Sequence, residues 1–356
     1  MTNPEGAGRN EKIIKNIKSL GFPWETNDPF LFCVHHLDHF PKGNDRLGPA
    51  ASLEDRNIGQ DFTIKDGWRM YNGDTVPGFP AHPHRGFETV TIVLDGFVDH
   101  SDSDGAAGRY GMGDVQWMSA GSGLQHAEMF PLLNQDKPNR GEIFQIWLNL
   151  PAAKKFVTPY YKMLWSEDIP KVNFLNKQNK KTTITIVAGD LAENKAVSPA
   201  PDSWAANPEN EVAIWIIEME AGASWTLPAG SKEVQRNLYF FEGSWLDIEG
   251  SQIDSYKNIE LNSEYPIHLQ SGIENIRMLF LQAKPIGEPV VQYGPFVMNS
   301  QQEIYEAYTD FRKDQFGGWP WPRHDPVHPR DIGRFARYAD GSEEKPDSPV
   351  QITDRK

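Results

Sequence analysis

Two pairs of metal-ligand side chains, each pair spaced by one residue, constrain this chain more than any other feature. Ala81-His82-Pro83-His84-Arg85-Gly86-Phe87-Glu88 opens one stretch, and Gly121-Ser122-Gly123-Leu124-Gln125-His126-Ala127-Glu128 closes it. Side chains along a β-strand alternate faces, so residues i and i+2 share one. His82 and His84 therefore point together, as do His126 and Glu128. Brought side by side in a small barrel, they converge as three imidazoles and one carboxylate. That donor set suits a single first-row transition metal and leaves coordination positions open for water or substrate. One His-x-His pair is a weak pattern; two such pairs flanking strand-like sequence are a strong one.

The sequence between and after the pairs reads as strands. Thr89 to Leu94 (TVTIVL) is β-branched and ends at Asp95-Gly96, a turn pair. Phe97 to His100 is the expected return strand, and Asp102 to Gly108 a polar, Gly-rich loop. Val115 to Met118 and Ile143 to Leu150 read as further buried strands, offering Trp117, Met118, Phe144 and Trp147 as apolar walls of a site or as ordinary core. Short strands with turn signals point to an antiparallel barrel or sandwich. The pattern recurs more weakly at Lys181–Ala188, Glu211–Met219, Asn237–Phe241 and Ile276–Gln282, which predicts a second barrel. Its only imidazole between Pro170 and Pro285 is His268, so it carries no metal set and reads as structural.

The expected layout is a flexible segment over 1–25, a metal-binding barrel over 26–150, a connection over 151–180, a second barrel over 181–285, and a helix with a polar tail over 286–356. Met1 to Asn10 reads as disordered. Ile13, Ile14, Ile17 and Leu20 fall at helical spacing. Asp28 to Val34 reads as a buried strand, followed by His35, His36 and His39. Those histidines rival the metal set, but His35 and His36 are adjacent and would face opposite ways, so they read as turn or pocket-rim residues. Ser300-Gln301-Gln302-Glu303 has capping-box spacing and starts a helix with an Ile304, Tyr305, Tyr308, Phe311 stripe. Trp319 and Trp321 are candidate anchors for the tail, and His324 and His328 read as surface residues.

A length of 356 residues suits two domains, and the formal charge of −14 disfavours direct nucleic-acid binding, which needs a concentrated positive face. A single cysteine, Cys33, permits no intrachain disulfide. No apolar run reaches membrane-spanning length and the first ten residues lack a signal peptide's apolar core, so the expectation is a soluble cytoplasmic protein.

The chain resembles the pirins, members of the cupin superfamily with two cupin barrels. The resemblance rests on HPHRGFETVT (His82 to Thr91), GDVQWMSAGSGLQHAEM (Gly113 to Met129) and GPFVMN (Gly294 to Asn299), with Asp28–Leu31 and Ile146–Leu150 in support. It spans roughly Phe30 to Phe316. It implies an all-β fold of two antiparallel, jelly-roll-type cupin barrels with a few short helices and a C-terminal extension. It places the metal ligands at His82, His84, His126 and Glu128, the set that strand parity also selects. The general cupin pattern has its carboxylate ligand after the first histidine pair; with Gly96 as anchor, that position is Thr89. The resemblance thus implies that Glu128 takes over as the carboxylate ligand, which leaves Glu88 as an outer residue and a minor rival. The histidine-bearing stretch from Val34 to Phe40, the polar segment from Lys42 to Tyr71 and the tail beyond Phe316 depart from short pirins, and the first two are candidates to line the pocket mouth.

The resemblance implies one divalent transition metal, Fe(II) first, with Mn, Ni, Cu or Zn as alternatives. The expected activity is a quercetinase-like dioxygenase acting on a flavonol or other enol with dioxygen, with Glu128 or Glu88 as the base. The alternative is a non-enzymatic, metal-dependent, redox-sensitive regulatory module that meets a protein partner. A purely structural metal fits less well, because structural sites tend to be closed by protein ligands.

Overall fold

Residues 13–346 are described by a computed structural model of the chain. They divide into two compact units, one formed by residues up to Val34 with Asp168–Gly287, the other by His35–Glu167 with the residues from Glu288 onward. Strands form where β-branched and aromatic residues cluster, as expected for side chains that pack on a pleated, half-buried surface. In chain order, β1 (Ile14–Ser19) and β2 (Phe30–Phe40) come first.

The unit with the two histidine-bearing pairs holds β3 (Gly78–His84), β4 (Phe87–Asp95), β5 (Phe97–Asp102), β6 (Ala107–Gly111), β7 (Val115–Ser119), β8 (Leu124–Met129), β9 (Asn139–Asn149) and β10 (Tyr160–Leu164). One sheet runs β10-β7-β4-β9-β2, and a second contains β6-β5-β8-β3 in that order. All of these pairings are antiparallel where register is defined. Strand β10 comes from the stretch read as a connection; its Tyr161 lies opposite Met118.

The other unit is built from β11 (Lys171–Leu175), β12 (Lys181–Ala188), β13 (Ala213–Met219), β14 (Ser224–Leu227), β15 (Gln235–Glu242), β16 (Trp245–Ile248), β17 (Ser251–Asp254), β18 (Lys257–Leu261), β19 (Ile267–Ser271) and β20 (Ile276–Ala283). A seven-stranded sheet, β1-β18-β15-β20-β13-β12-β11, faces a four-stranded one, β14-β19-β16-β17, across a core of Ile184, Ile217, Leu238, Phe240, Ile248 and Phe280 among others. Burying each such side chain contributes about 1.5–3 kcal/mol before entropy is counted. The isoleucine spacing near residue 13 does not make a helix. Ile14–Ser19 is an edge strand, with Ile17 opposite Ile259, because pairing with a ready sheet outweighs a four-residue periodicity. The segment expected to be flexible as far as residue 25 thus includes a paired strand, while its stretch Met1–Asn10 lies outside the described residues.

After β21 (Val291–Tyr293) and β22 (Phe296–Met298), the helix α1 (Gln301–Asp314) begins at an N-cap Ser300 whose side chain accepts from the Glu303 N–H. Glu303 reaches back to accept from the Asn299 N–H at 3.1 Å. Ile304 and Ala307 of α1 pack under Phe296 and Met298. The tail then joins the unit that contains β3 to β10. Strands β23 (Phe335–Arg337) and β24 (Glu343–Glu344) extend its second sheet beside β6, with Phe335 opposite Arg109. Trp321 donates to the Asp102 carbonyl at 2.7 Å. Among the described residues, no helix is long and apolar enough to cross a membrane.

Candidate metal centre

Strand β3 lies antiparallel to β8, with His82 directly opposite His126 and His84 opposite Leu124. Alternation then puts His84 and His126 on the face His82 occupies. A bulge between Phe79 and His82 turns the earlier part of β3, so Phe79 sits opposite Glu128. Among the described residues, His82, His84 and His126 form the group whose donor atoms all lie within 4.8 Å of one another. His84 and His126 are buried and His82 is half-buried. Burial, the largest cause, pushes all three imidazoles below their ordinary pKa. They are therefore neutral near pH 7, the form that donates an electron pair to a metal.

Hydrogen bonding orients two of the rings. Nδ1 of His82 lies 2.9 Å from the Pro80 carbonyl, and Nδ1 of His84 lies 3.3 Å from that of Pro295. Each carbonyl fixes the proton on Nδ1 and leaves Nε2 as the free donor. Neither ring nitrogen of buried His126 has a hydrogen-bond partner among the described residues. An orphaned imidazole beside two oriented ones is costly unless something binds it, and a metal ion satisfies that demand.

Glu128 stands next to this group, its Oε2 3.8 Å from His126 Nε2. It accepts from Gln145 Nε2 at 2.6 Å and from Thr91 Oγ1 at 3.1 Å, with Tyr110 Oη at 3.5 Å. These contacts aim the carboxylate. Glu88 does not join it: it accepts from Trp117 Nε1 at 3.1 Å and Ser119 Oγ at 2.5 Å, on the opposite face of β4 from Thr91. Parity counted from His84 fails here because Gly86, at φ 87°, turns the chain between the two strands. The same alternation sorts the expected apolar walls. Trp147 and Met118 pair with Thr89 on the Thr91 face, whereas Trp117 pairs with Val90 and Phe144 with Ile92 on the other. Trp147 and Phe87 meet the His84 ring at 5.3 and 5.0 Å between centroids.

The rival histidines do not converge. His35 stacks on Phe144 at 4.4 Å and lies 3.0 Å from Glu142; buried His36 meets Tyr71 edge-on at 4.9 Å; His39 is exposed. His324 is exposed as expected, but half-buried His328 reaches the His100 carbonyl at 3.1 Å.

Sequence reading missed Gln145 and His100. Gln145 is the one polar residue at an inward position between Ile143 and Trp147, a signal present in the sequence. His100 pairs with Glu128 across β5 and β8, lies 5.7 Å from the His126 ring between centroids, and places Nε2 3.2 Å from Asp102. As the last residue of an expected strand it gave no sign of facing inward.

The molecule matches known proteins along both barrels. The family described as Pirin matches residues 25–148, and the Pirin C-terminal cupin domain matches residues 214–317. A Pseudomonas aeruginosa protein named provisionally as a quercetin 2,3-dioxygenase is 37% identical over 257 residues, covering 70% of this chain and 85% of that protein. Pirin-1 of Arabidopsis thaliana is 34% identical over 255 residues, covering 67% and 78%. The crystal structure of a quercetin 2,3-dioxygenase from Acinetobacter baumannii superposes with a TM-score of 0.66 at 25% identity, over 86% of this chain and 98% of that one. On the histidine cluster, the two barrels and these matches together, the chain belongs to the pirin family of bicupins.

Proposed function

We propose that the protein is a metal-dependent dioxygenase that opens a flavonol or a related enol, with the metal held by His82, His84, His126 and Glu128. The observation that carries the reading is the orphaned, buried His126 beside two imidazoles whose Nδ1 atoms are already engaged. Bound there, a divalent ion, Fe(II) first with Mn, Ni, Cu or Zn as alternatives, supplies Lewis acidity toward an enolate oxygen and reactivity with dioxygen. The relatives named as quercetin 2,3-dioxygenases support a phenolic substrate.

The side chains divide the remaining work. Three neutral imidazoles would hold the ion without cancelling its charge. Glu128, aimed by Gln145 and Thr91, would take the substrate hydroxyl proton at a carboxylate oxygen. Trp147 and Phe87 form an apolar wall that suits a flat aromatic ring and excludes water.

Oxygen uptake with quercetin and a panel of small enols, on protein of known metal content, tests this. Wild type is expected to consume oxygen in proportion to its metal. Glu128→Gln is expected to bind metal more weakly and to lose turnover, because a neutral amide is a poorer ligand and no base. Glu88→Gln is expected to keep its metal. No uptake with any enol by metal-loaded wild type would sink the dioxygenase reading, and full activity of Glu128→Gln would remove that residue from it.

A further inference from the structure

The second barrel, which has no histidine cluster, carries a different built site. Along β15, Leu238 and Phe240 enter the core, so Arg236 shares their inward face. Along β20, Met278 and Phe280 do the same for Gln282, and Gln282 lies opposite both Arg236 and Ala213. At this end of the neighbouring strands the inward positions change from large apolar residues to Arg236, Gln282, Ala188 and Ala213. A cavity of about 510 Å³ opens there.

Arg236 is only 2% exposed. Its Nε donates to Gln282 Oε1 at 2.6 Å, and Gln282 Nε2 in turn donates to the Glu211 carbonyl at 3.1 Å. The guanidinium is thus held in place through its Nε edge. Its buried Nη1 has no hydrogen-bond partner among the described residues. A buried cation with unmade hydrogen bonds is costly, and an anion facing the Nη edge relieves that cost with charge-assisted bonds. We propose that this cavity binds a small organic monocarboxylate, its carboxylate on Arg236 and its apolar body against Ala205, Val212 and Pro228.

The surroundings choose among anions. Arg236 is the buried cation of the cavity, whereas Lys195 and Asp190 on its lining are exposed. Glu211 also lines it, with Oε2 accepting from the Ser231 N–H at 3.1 Å. Glu211 already offsets the charge of Arg236, so an added anion gains hydrogen bonds at Nη1 rather than charge neutralisation, and a singly charged one is repelled less than a phosphate dianion. The remaining wall, largely alanine, valine and proline, suits hydrocarbon.

Calorimetric titration of the metal-loaded full chain with benzoate, and separately with inorganic phosphate, tests the assignment. Benzoate is expected to bind saturably. Arg236→Met is expected to weaken it at least tenfold, as is Ala205→Phe, which fills the cavity and leaves the guanidinium in place. Both variants should keep their metal content. Should Arg236→Met fail to fold, Ala205→Phe decides. Unchanged benzoate affinity in Ala205→Phe, phosphate binding without benzoate binding, or no binding of either probe would each overturn the proposal; the last would mean that the guanidinium is simply hydrated.

Discussion

Replacing His84 by alanine is expected to abolish tight metal binding while the protein stays folded. The ring is buried, oriented by the Pro295 carbonyl and grouped within 4.8 Å of two other imidazole donors. Losing an outer partner of a ligand costs about 10- to 100-fold in affinity, so losing a ligand outright should exceed that. Folding should survive because His84 leaves the two apolar cores intact. Metal analysis after reconstitution, with circular dichroism as the folding control, checks both halves. Full metal occupancy in His84→Ala would show the cluster to be misassigned.

The second large effect concerns stability. Arg109 is fully buried and pairs with Asp99 through two bonds of 2.6 and 2.7 Å. Its remaining N–H groups donate to the carbonyls of His328, Pro329 and Arg330 in the tail. Arg109→Met is expected to destabilise this unit by about 3–5 kcal/mol, because Asp99 is then buried without its counter-charge. The double variant Arg109→Met with Asp99→Asn should recover a good part of that loss, since the uncompensated charge dominates it. Denaturant unfolding of the two variants measures the difference. A single variant within about 1 kcal/mol of wild type would mean the buried pair is not the anchor of the tail.

The two histidine-bearing pairs were legible in the sequence because strand parity is a local rule; the pairing of β3 with β8 then brings His82, His84 and His126 together, with Glu128 beside them. Parity stopped being reliable where the chain turns, and Glu88 shows how: Gly86 reverses the chain, so counting on from His84 assigns the wrong face. The second limit is pairing between distant strands. Nothing in the stretch Ile14–Ser19 says that it joins the edge of a sheet at β18, and nothing in Phe335–Arg337 says that it extends the sheet beside β6. The half-buried position of His328 belongs to that same docked tail. The third limit is that a lone arginine in an otherwise apolar alternation (Arg236, Leu238, Phe240) carries no spacing signal comparable to a histidine pair.

The central claim is that one metal ion sits among His82, His84 and His126. Crystals of reconstituted protein, with diffraction collected at the absorption edge of the metal found by elemental analysis, test it most directly. One anomalous peak per chain is expected, within bonding distance of those three imidazoles and of Glu128. A peak beside His35, His36 or His39, or none near the three imidazoles in metal-loaded crystals, would contradict it.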